Sequence, residues 1–186
     1  MGRVRVAWAI TGAGDLLHET MEVMARVGGQ AGLDITVLVS KSAEGVLKWY
    51  RLWGKLRETF SSVKVEKGPN RPFVAGPLQV GHYALLFVSP ATANTTAKIA
   101  HGIADTLITN CVSQAVKGGT PVYIYPVDQR PGRIDTKIPG GGKVSIRARR
   151  IDLENTERLR GMEGIEVLSH PADIEGVILS LLGSPS

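Results

Sequence analysis

The fold is decided by residues 83–98, which read Tyr83-Ala-Leu-Leu-Phe-Val-Ser-Pro-Ala-Thr-Ala-Asn-Thr-Thr-Ala-Lys98. The first part, Tyr83 to Val88, is an apolar run without alternation, which is typical of a strand buried on both faces of a parallel sheet. Because Pro90 has no backbone N–H, we expect the strand to end there. Small and hydroxylic residues follow, and a helical pattern then runs through Ile99, Ile103 and Leu107. Such a strand-to-helix turn presents N–H groups at the edge where open α/β sheets bind ligands.

The rest of the chain repeats the order of strand and helix. Further strands are predicted at residues 3–11, 33–39, 63–66, 121–125 and 164–168, with amphipathic helices between most of them. This alternation predicts a single α/β domain over residues 1–186, of the Rossmann-like (flavodoxin-like) class, with a parallel sheet and helices on both faces. A chain of 186 residues is long enough for one domain with a full core. We expect the last residues, from Gly183 to Ser186, to be frayed.

The first strand runs into the turn Gly12-Ala13-Gly14 and then into a helix through Leu17 and Met21. Glycines allow backbone N–H groups to approach a phosphate, and a helix N-terminus adds positive potential. Leu17 occupies the place of the third glycine of a Gly-x-Gly-x-x-Gly motif, which weakens the case for a plain dinucleotide fold. Alone, the turn fits a structural bend as well as a ligand loop. Together with the central stretch, it favours a ligand loop.

The second strand ends at Ser40-Lys41-Ser42, where another helix begins. Two hydroxyls and a cation at this position predict a second phosphate contact. The spacing alone fits a simple helix cap by Ser42 equally well.

Two basic segments have an open interpretation. Trp49, Tyr50 and Trp53 are predicted to share one helical face with flanking cations, either as a core face or as a contact for another subunit or an acidic donor. Residues 126–150 have no regular pattern, and five arginines and two lysines fall within residues 130–150. A loop of this length is usually functional or disordered. It fits a mobile basic flap over a ligand, a solvated loop or an arm between subunits.

Composition restricts the class of protein. The formal net charge of +5 suits an acidic partner, but an aromatic content of 5% gives poor support for a platform that stacks nucleic-acid bases. No apolar segment reaches the length of a membrane span, and the first residues form a strand rather than a secretion signal, so we expect a cytoplasmic protein without a membrane partner. The single cysteine, Cys111, excludes an all-cysteine metal or iron–sulfur site within one chain, and we expect it in the core. No metal site is predicted.

The segment Pro90-Ala-Thr-Ala-Asn-Thr95, followed by Lys98 and by Gly102-Ile-Ala-Asp105, resembles the Pro-x-Ser-Ala-Asn-Thr signature of the homo-oligomeric FMN-containing cysteine decarboxylase superfamily. Within that superfamily, the chain is most similar to archaeal flavoproteins of the archaeoflavoprotein and dihydromethanopterin reductase type. The local resemblance covers residues 90–109, and the strand and helix order extends it over most of the chain.

The resemblance implies FMN as the cofactor. Its phosphate would lie near Gly12, Ala13 and Gly14 and near Ser40, Lys41 and Ser42. Its isoalloxazine ring would lie against the turn formed by Ser89, Pro90, Ala91, Thr92, Ala93, Asn94 and Thr95. Asn94 would be the catalytic residue that hydrogen-bonds the flavin or the substrate, and Lys98 would help to hold the turn. The resemblance also implies a trimer, or an assembly of trimers, with the flavin at a subunit interface.

Two departures disfavour oxidative decarboxylation of a peptidyl cysteine. Gly76 stands where the cysteine decarboxylases have a histidine. Their substrate clamp, Pro-x-Met-Asn-x-x-Met-Trp, corresponds to residues 126–133, where only Pro126 matches.

A flavin carries hydride and electron chemistry without an acid, base or nucleophile from the protein. The sequence therefore favours an FMN-dependent oxidoreductase. It would take electrons from a small acidic donor such as ferredoxin and pass them to another small-molecule carrier or, as the resemblance to dihydromethanopterin reductases implies, to a pterin-like (dihydromethanopterin-type) acceptor. The alternatives are an enzyme similar to the flavin prenyltransferases and a non-catalytic FMN-binding subunit.

Overall fold

The computed structural model describes residues 3–183. Eight strands are formed within that range: β1 (Val4–Ile10), β2 (Leu33–Val39), β3 (Ser62–Val65), β4 (Leu85–Ala91), β5 (Val122–Pro126), β6 (Arg133–Lys137), β7 (Lys143–Arg147) and β8 (Ile165–Val167). Eight helices accompany them over the same residues: α1 (Leu17–Gly28), α2 (Lys41–Trp49), α3 (Trp53–Thr59), α4 (Ala75–Gln79), α5 (Ala93–Ala100), α6 (Leu107–Lys117), α7 (Arg150–Arg160) and α8 (Asp173–Gly183). Of the residues predicted to be frayed, 183–186, Gly183 is the last residue of α8, and residues 184–186 lie outside the described range.

Six strands form one parallel sheet in the order β3-β2-β1-β4-β5-β8. Neighbouring residues of β1 point to opposite faces, and each face is covered by helices. Trp8 packs in one core cluster with residues of α1, α2, α3 and α8, whereas Ala7 and Ala9 pack in a second cluster with residues of α4, α5, α6 and α7. The predicted fold class is therefore confirmed. The strand order reverses between β1 and β4: β2 and β3 lie on one side of β1, and β4, β5 and β8 lie on the other. Open α/β sheets bind their ligands at such a switch point.

The prediction that the strand ends at Pro90 is wrong. β4 begins after Tyr83, at Leu85, and continues through Pro90 to Ala91. Its pairing with β5 shifts register between Val88 and Ala91, so that Pro90 lies in an irregular part of the ladder. A proline is tolerated there because no regular ladder bond requires its missing N–H.

The predicted helix through Ile99, Ile103 and Leu107 is two helices. α5 ends at Ala100, and Gly102 adopts a positive φ of 71°. The N–H of Ile103 then bonds back to the carbonyl of Lys98, which closes the helix end. Ile103 is consequently 47% exposed rather than buried. α6 starts anew with a capping box between Thr106 and Thr109.

The prediction that Trp49, Tyr50 and Trp53 share one helical face is also wrong. Arg51 has a φ of 58°, which separates α2 from α3. Trp53 packs against the core, whereas Trp49 is 57% exposed.

Residues 126–150 are not an irregular flap. They contain an antiparallel hairpin in which Arg133 pairs with Arg147 and Lys137 pairs with Lys143. Gly140 and Gly141 both have positive φ at its tip, which lets the chain reverse direction.

No helix within residues 3–183 is long and apolar enough to cross a membrane.

The thiol of Cys111 tests the packing of α6 against the sheet. Cys111 is fully buried, and burial raises the pKa of its thiol to about 12. Because only an accessible thiolate reacts readily, we expect no labelling by Ellman's reagent in native buffer at neutral pH. One thiol per chain should react after unfolding in guanidinium chloride. Fast, complete labelling of the native protein would contradict the fold described here.

Candidate functional site

The buried side chain of Thr11 joins the turn after β1 to the turn after β4. Its hydroxyl donates to the carbonyl oxygen of Pro90 at 2.8 Å and accepts from the N–H of Thr92 at 2.8 Å. The N–H of Thr11 donates to the same Pro90 carbonyl at 3.2 Å. Thr11 is only 3% exposed, so water does not compete strongly for these bonds. The two predicted turns are therefore fixed side by side.

The glycines of the first turn are needed for close approach. A Cβ atom at Gly12 would lie 2.7 Å from the Cβ atom of Ser42, and a Cβ atom at Gly14 would overlap the phenol ring of Tyr50. The glycine turn thus lies directly against the start of α2. The three segments that were predicted to form the site, at residues 12–14, 40–42 and 89–95, meet at one edge of the sheet. α1 begins only at Leu17, so the glycine turn does not lead directly into the helix.

The start of α2 is capped by the protein itself. The hydroxyl of Ser40 accepts from the N–H of Ala43 at 3.0 Å, so Ser40 is the cap and the alternative of a cap by Ser42 is wrong. The N–H of Lys41 donates to the carboxylate of Glu66 at 3.1 Å. Glu66 also accepts from the N–H of Leu107 at 2.8 Å and so joins the starts of α2 and α6. The exposed side chains of Lys41 and Ser42 remain available to a ligand.

The turn after β4 has a buried and an accessible part. Ser89, Pro90 and Ala91 are buried in the strand, and the carbonyl of Ser89 accepts from the indole N–H of Trp8 at 2.7 Å. The next residues, Thr92, Ala93, Asn94 and Thr95, are at least partly accessible. Thr92 caps α5 by accepting from the N–H of Thr95 at 3.2 Å. Asn94 is exposed, so its amide can contact a ligand.

Lys98 lies one helical turn further along α5 and does not face the turn after β4. Its ammonium nitrogen is 2.8 Å from both carboxylate oxygens of Asp105. Lys98 therefore fastens the connection between α5 and α6.

Sequence reasoning missed a group of carboxylates at this edge of the sheet. The N–H of Ala93 hydrogen-bonds to Asp128, which follows β5. Burial raises the pKa of Asp128, and the nearby carboxylates of Asp152 and Asp15 raise it further, whereas Arg149 opposes them. Hydrogen bonds from Arg149 lower the pKa of Asp152. A polar residue directly after a buried strand was the available signal for Asp128.

The hairpin is docked over the glycine turn. The phenol O–H of Tyr50 donates to the carbonyl oxygen of Lys137 at 3.0 Å. The side chain of Thr136 hydrogen-bonds to Asp15, and burial of Asp15 raises the pKa of its carboxyl group. The hairpin thus forms an outer wall beside the edge at which the three segments meet.

A parallel sheet of this order, with a glycine turn after β1 and a polar turn at the β1–β4 switch, defines a Rossmann-like protein of the class that binds a nucleotide-type cofactor at the carboxyl ends of its strands. The Flavoprotein family model matches residues 1–180, and the chain belongs to this family. The predicted resemblance to flavoproteins is therefore confirmed.

Three similar proteins refine this assignment. The chain is 53% identical to an uncharacterized protein of Methanocaldococcus jannaschii, with 95% of each chain covered. It is 32% identical to a dihydromethanopterin reductase (acceptor) of the same organism, over 92% of this chain and 94% of the reductase. Among solved structures, it is similar to Burkholderia xenovorans DmrB in complex with FMN, with 33% identity, a TM-score of 0.78, and coverage of 96% of this chain and 95% of DmrB.

The Thr11 hydroxyl can be tested with a matched pair of variants. Thr11→Val keeps the shape but removes the hydroxyl partner of the partly buried Thr92 N–H, which we expect to cost about 1 kcal/mol of unfolding free energy. Thr11→Ser keeps the hydroxyl and should retain most of the stability. Guanidinium denaturation of both variants measures the difference. Equal stability of the two variants would refute the role of the hydroxyl.

The pH dependence of stability tests the environment of Asp128. Because its pKa is raised in the folded state, its ionisation destabilises the fold as pH rises through that pKa. We therefore expect Asp128→Asn, in the flavin-free protein, to be more stable than wild type at about pH 7.5 and to lose this advantage near about pH 4. Asp135→Asn, at an exposed carboxylate of β6, is the matched control for charge removal. If Asp128→Asn is less stable than wild type by the same amount at both pH values, the pKa of Asp128 is not raised in the folded protein.

Proposed function

We propose that this protein is an FMN-dependent oxidoreductase that passes electrons from a small acidic donor to a small-molecule acceptor of the pterin type. The observation that carries the proposal is the convergence of the glycine turn, the start of α2 and the turn after β4 at the Thr11 junction. This convergence occurs in a chain that is 33% identical to a DmrB protein solved with FMN.

The residues present fit a phosphorylated planar cofactor. Within the turn Gly12-Ala13-Gly14, Gly12 lies against Ser42, and the exposed Lys41 forms no ion pair within residues 3–183. These groups would hold the phosphate, together with the cap residue Ser40.

The flavin ring would lie against the turn after β4. Ser89, Pro90 and Ala91 would support it from within the strand, and Thr92, Ala93, Asn94 and Thr95 would face it. Lys98 acts at a distance, through its ion pair with Asp105, by fixing the far end of α5. Bound FMN supplies the hydride and single-electron chemistry.

Two side chains of this turn would act on the bound molecules. The exposed amide of Asn94 offers both a donor and an acceptor to the flavin ring or to the substrate. Asp128, which bonds the N–H of Ala93, holds a proton more firmly than an ordinary carboxyl group because burial raises its pKa. It is therefore suited to hold a proton beside the ring.

The donor is a separate molecule. The single, buried cysteine cannot supply an all-cysteine iron–sulfur cluster within the chain. The net charge of +5 and the basic hairpin favour association with a small acidic protein of the ferredoxin type. The proposed acceptor is supported by the relative in Methanocaldococcus jannaschii, whose name is dihydromethanopterin reductase (acceptor).

We further propose a cytoplasmic homo-oligomer built from trimers. The similar DmrB structure is described as a cubic protein cage for redox transfer, which supports self-association.

The proposal is tested by absorbance spectroscopy of the purified protein, followed by anaerobic titration with reduced ferredoxin and reoxidation with a dihydropterin acceptor. We expect flavin bands that bleach with the donor and return with the acceptor. Asn94→Ala should weaken FMN binding about tenfold, because it removes hydrogen bonds that are made at the site. Asn70→Ala, at an exposed loop asparagine outside the three segments of the proposed site, is the matched control and should behave as wild type.

Two results would overturn the proposal. A colourless protein that does not take up added FMN would show that FMN is not its cofactor. If the Asn94→Ala variant binds FMN and turns over as well as wild type, the assignment of the site to the turn after β4 is wrong.

A further inference from the structure

A cavity of about 780 Å³ lies between the tip of the hairpin and the end of α2. We call it the hairpin pocket and define it by residues 137–143 on one side and by His18 and residues 49–51 on the other. Its volume falls within the range of pockets that enclose small organic ligands, a few hundred to about 1,000 Å³. It is not formed by the residues of the turn after β4, so it is separate from the proposed ring site.

Aromatic rings form the inner side of the hairpin pocket. Tyr50 lies edge to face with Trp49, with ring centroids 5.4 Å apart, and with His18 at 5.8 Å. Tyr50 is held in place by its bond to the carbonyl of Lys137 and by contact with Gly14. Trp49 is 57% exposed and contributes little to the core. Large, rigid aromatic faces of this kind stack on flat ligands.

The charge of the hairpin pocket is positive and not neutralised. Arg51, Lys137 and Lys143 line it, and no lining residue is acidic. Within residues 3–183, none of these three cations forms an ion pair, although other surface cations do, such as Lys48 with Glu44. Unpaired cations around a concave surface attract an anion.

We propose that the hairpin pocket binds a second molecule consisting of a planar heteroaromatic ring with an anionic tail. The ring would stack on Trp49 and Tyr50, and the tail would lie among Arg51, Lys137 and Lys143. This inference rests on the proposed function, because the hairpin pocket borders the cleft proposed for FMN, and the second molecule would bind beside that cofactor rather than at its ring. A pterin with an acidic tail and a nucleotide share this chemistry. The pocket borders the glycine turn through Tyr50, so the second molecule sits next to the phosphate end of the cofactor cleft.

The test is isothermal titration calorimetry on the FMN-loaded protein with folic acid, AMP and inorganic pyrophosphate as separate probes. We expect saturable binding of folic acid or AMP, and the probe that binds identifies the source of the ring. Trp49→Leu and Lys143→Gln should each weaken that binding about tenfold. Phe73→Leu, at an exposed aromatic outside the pocket, and Lys55→Gln, at an exposed lysine outside it, are the matched controls and should leave binding unchanged.

The result also separates this inference from the proposed function. FMN content is measured first from the visible spectrum of every variant, and we expect Trp49→Leu and Lys143→Gln to retain it. If FMN binds but neither folic acid nor AMP binds, the hairpin pocket is not a ligand site and the proposed function stands. If pyrophosphate and a ring probe both bind, and Trp49→Leu weakens neither, the pocket attracts anions without stacking a ring. That result would overturn the proposal. If FMN does not bind, the proposed function fails.

Discussion

The hydroxyl of Thr11 is the interaction on which the candidate site depends. It donates to the carbonyl of Pro90 and accepts from the N–H of Thr92, and so holds the turns after β1 and β4 together at the point where the strand order of the sheet reverses. Gly12, the next residue, lies against Ser42, and a side chain at Gly12 would prevent this approach. The Thr11 hydroxyl thus joins two of the three segments that would contact a cofactor, and the neighbouring glycine brings in the third.

Two carboxylates at three helix starts alter the electrostatics of this edge. Glu66 accepts from the N–H groups of Lys41 and Leu107, and Asp128 bonds the N–H of Ala93. These anions occupy positions that a phosphate would otherwise favour at a helix N-terminus. In the proposed site, a phosphate would therefore be directed towards the glycine turn and the exposed Lys41. The side proposed for the flavin ring would have Asp128, a carboxyl group whose pKa burial raises.

The hairpin adds a wall that the parallel sheet alone would not provide. Tyr50 connects it to the rest of the protein by contacting Gly14 on one side and bonding the carbonyl of Lys137 on the other. The Tyr50 ring therefore separates the cofactor edge from the hairpin pocket. A substitution at Tyr50 would act on both sites.

The sequence by itself determined the α/β class, the six strands of the parallel sheet, and the turns at residues 12–14, 40–42 and 89–95, because apolar runs, glycines and hydroxylic residues are local signals. It did not locate the break at Gly102, the passage of β4 through Pro90, or the hairpin in residues 126–150. The break at Gly102 is made by a local bond from Ile103 to Lys98, whereas the other two depend on contacts between segments distant in the chain: Pro90 is held by Thr11, and the hairpin by Tyr50 and Asp15. Only the tertiary structure placed Asp128 beside Ala93 and Trp49 beside Lys143, because burial, pKa and pocket shape arise from packing rather than from the order of residues.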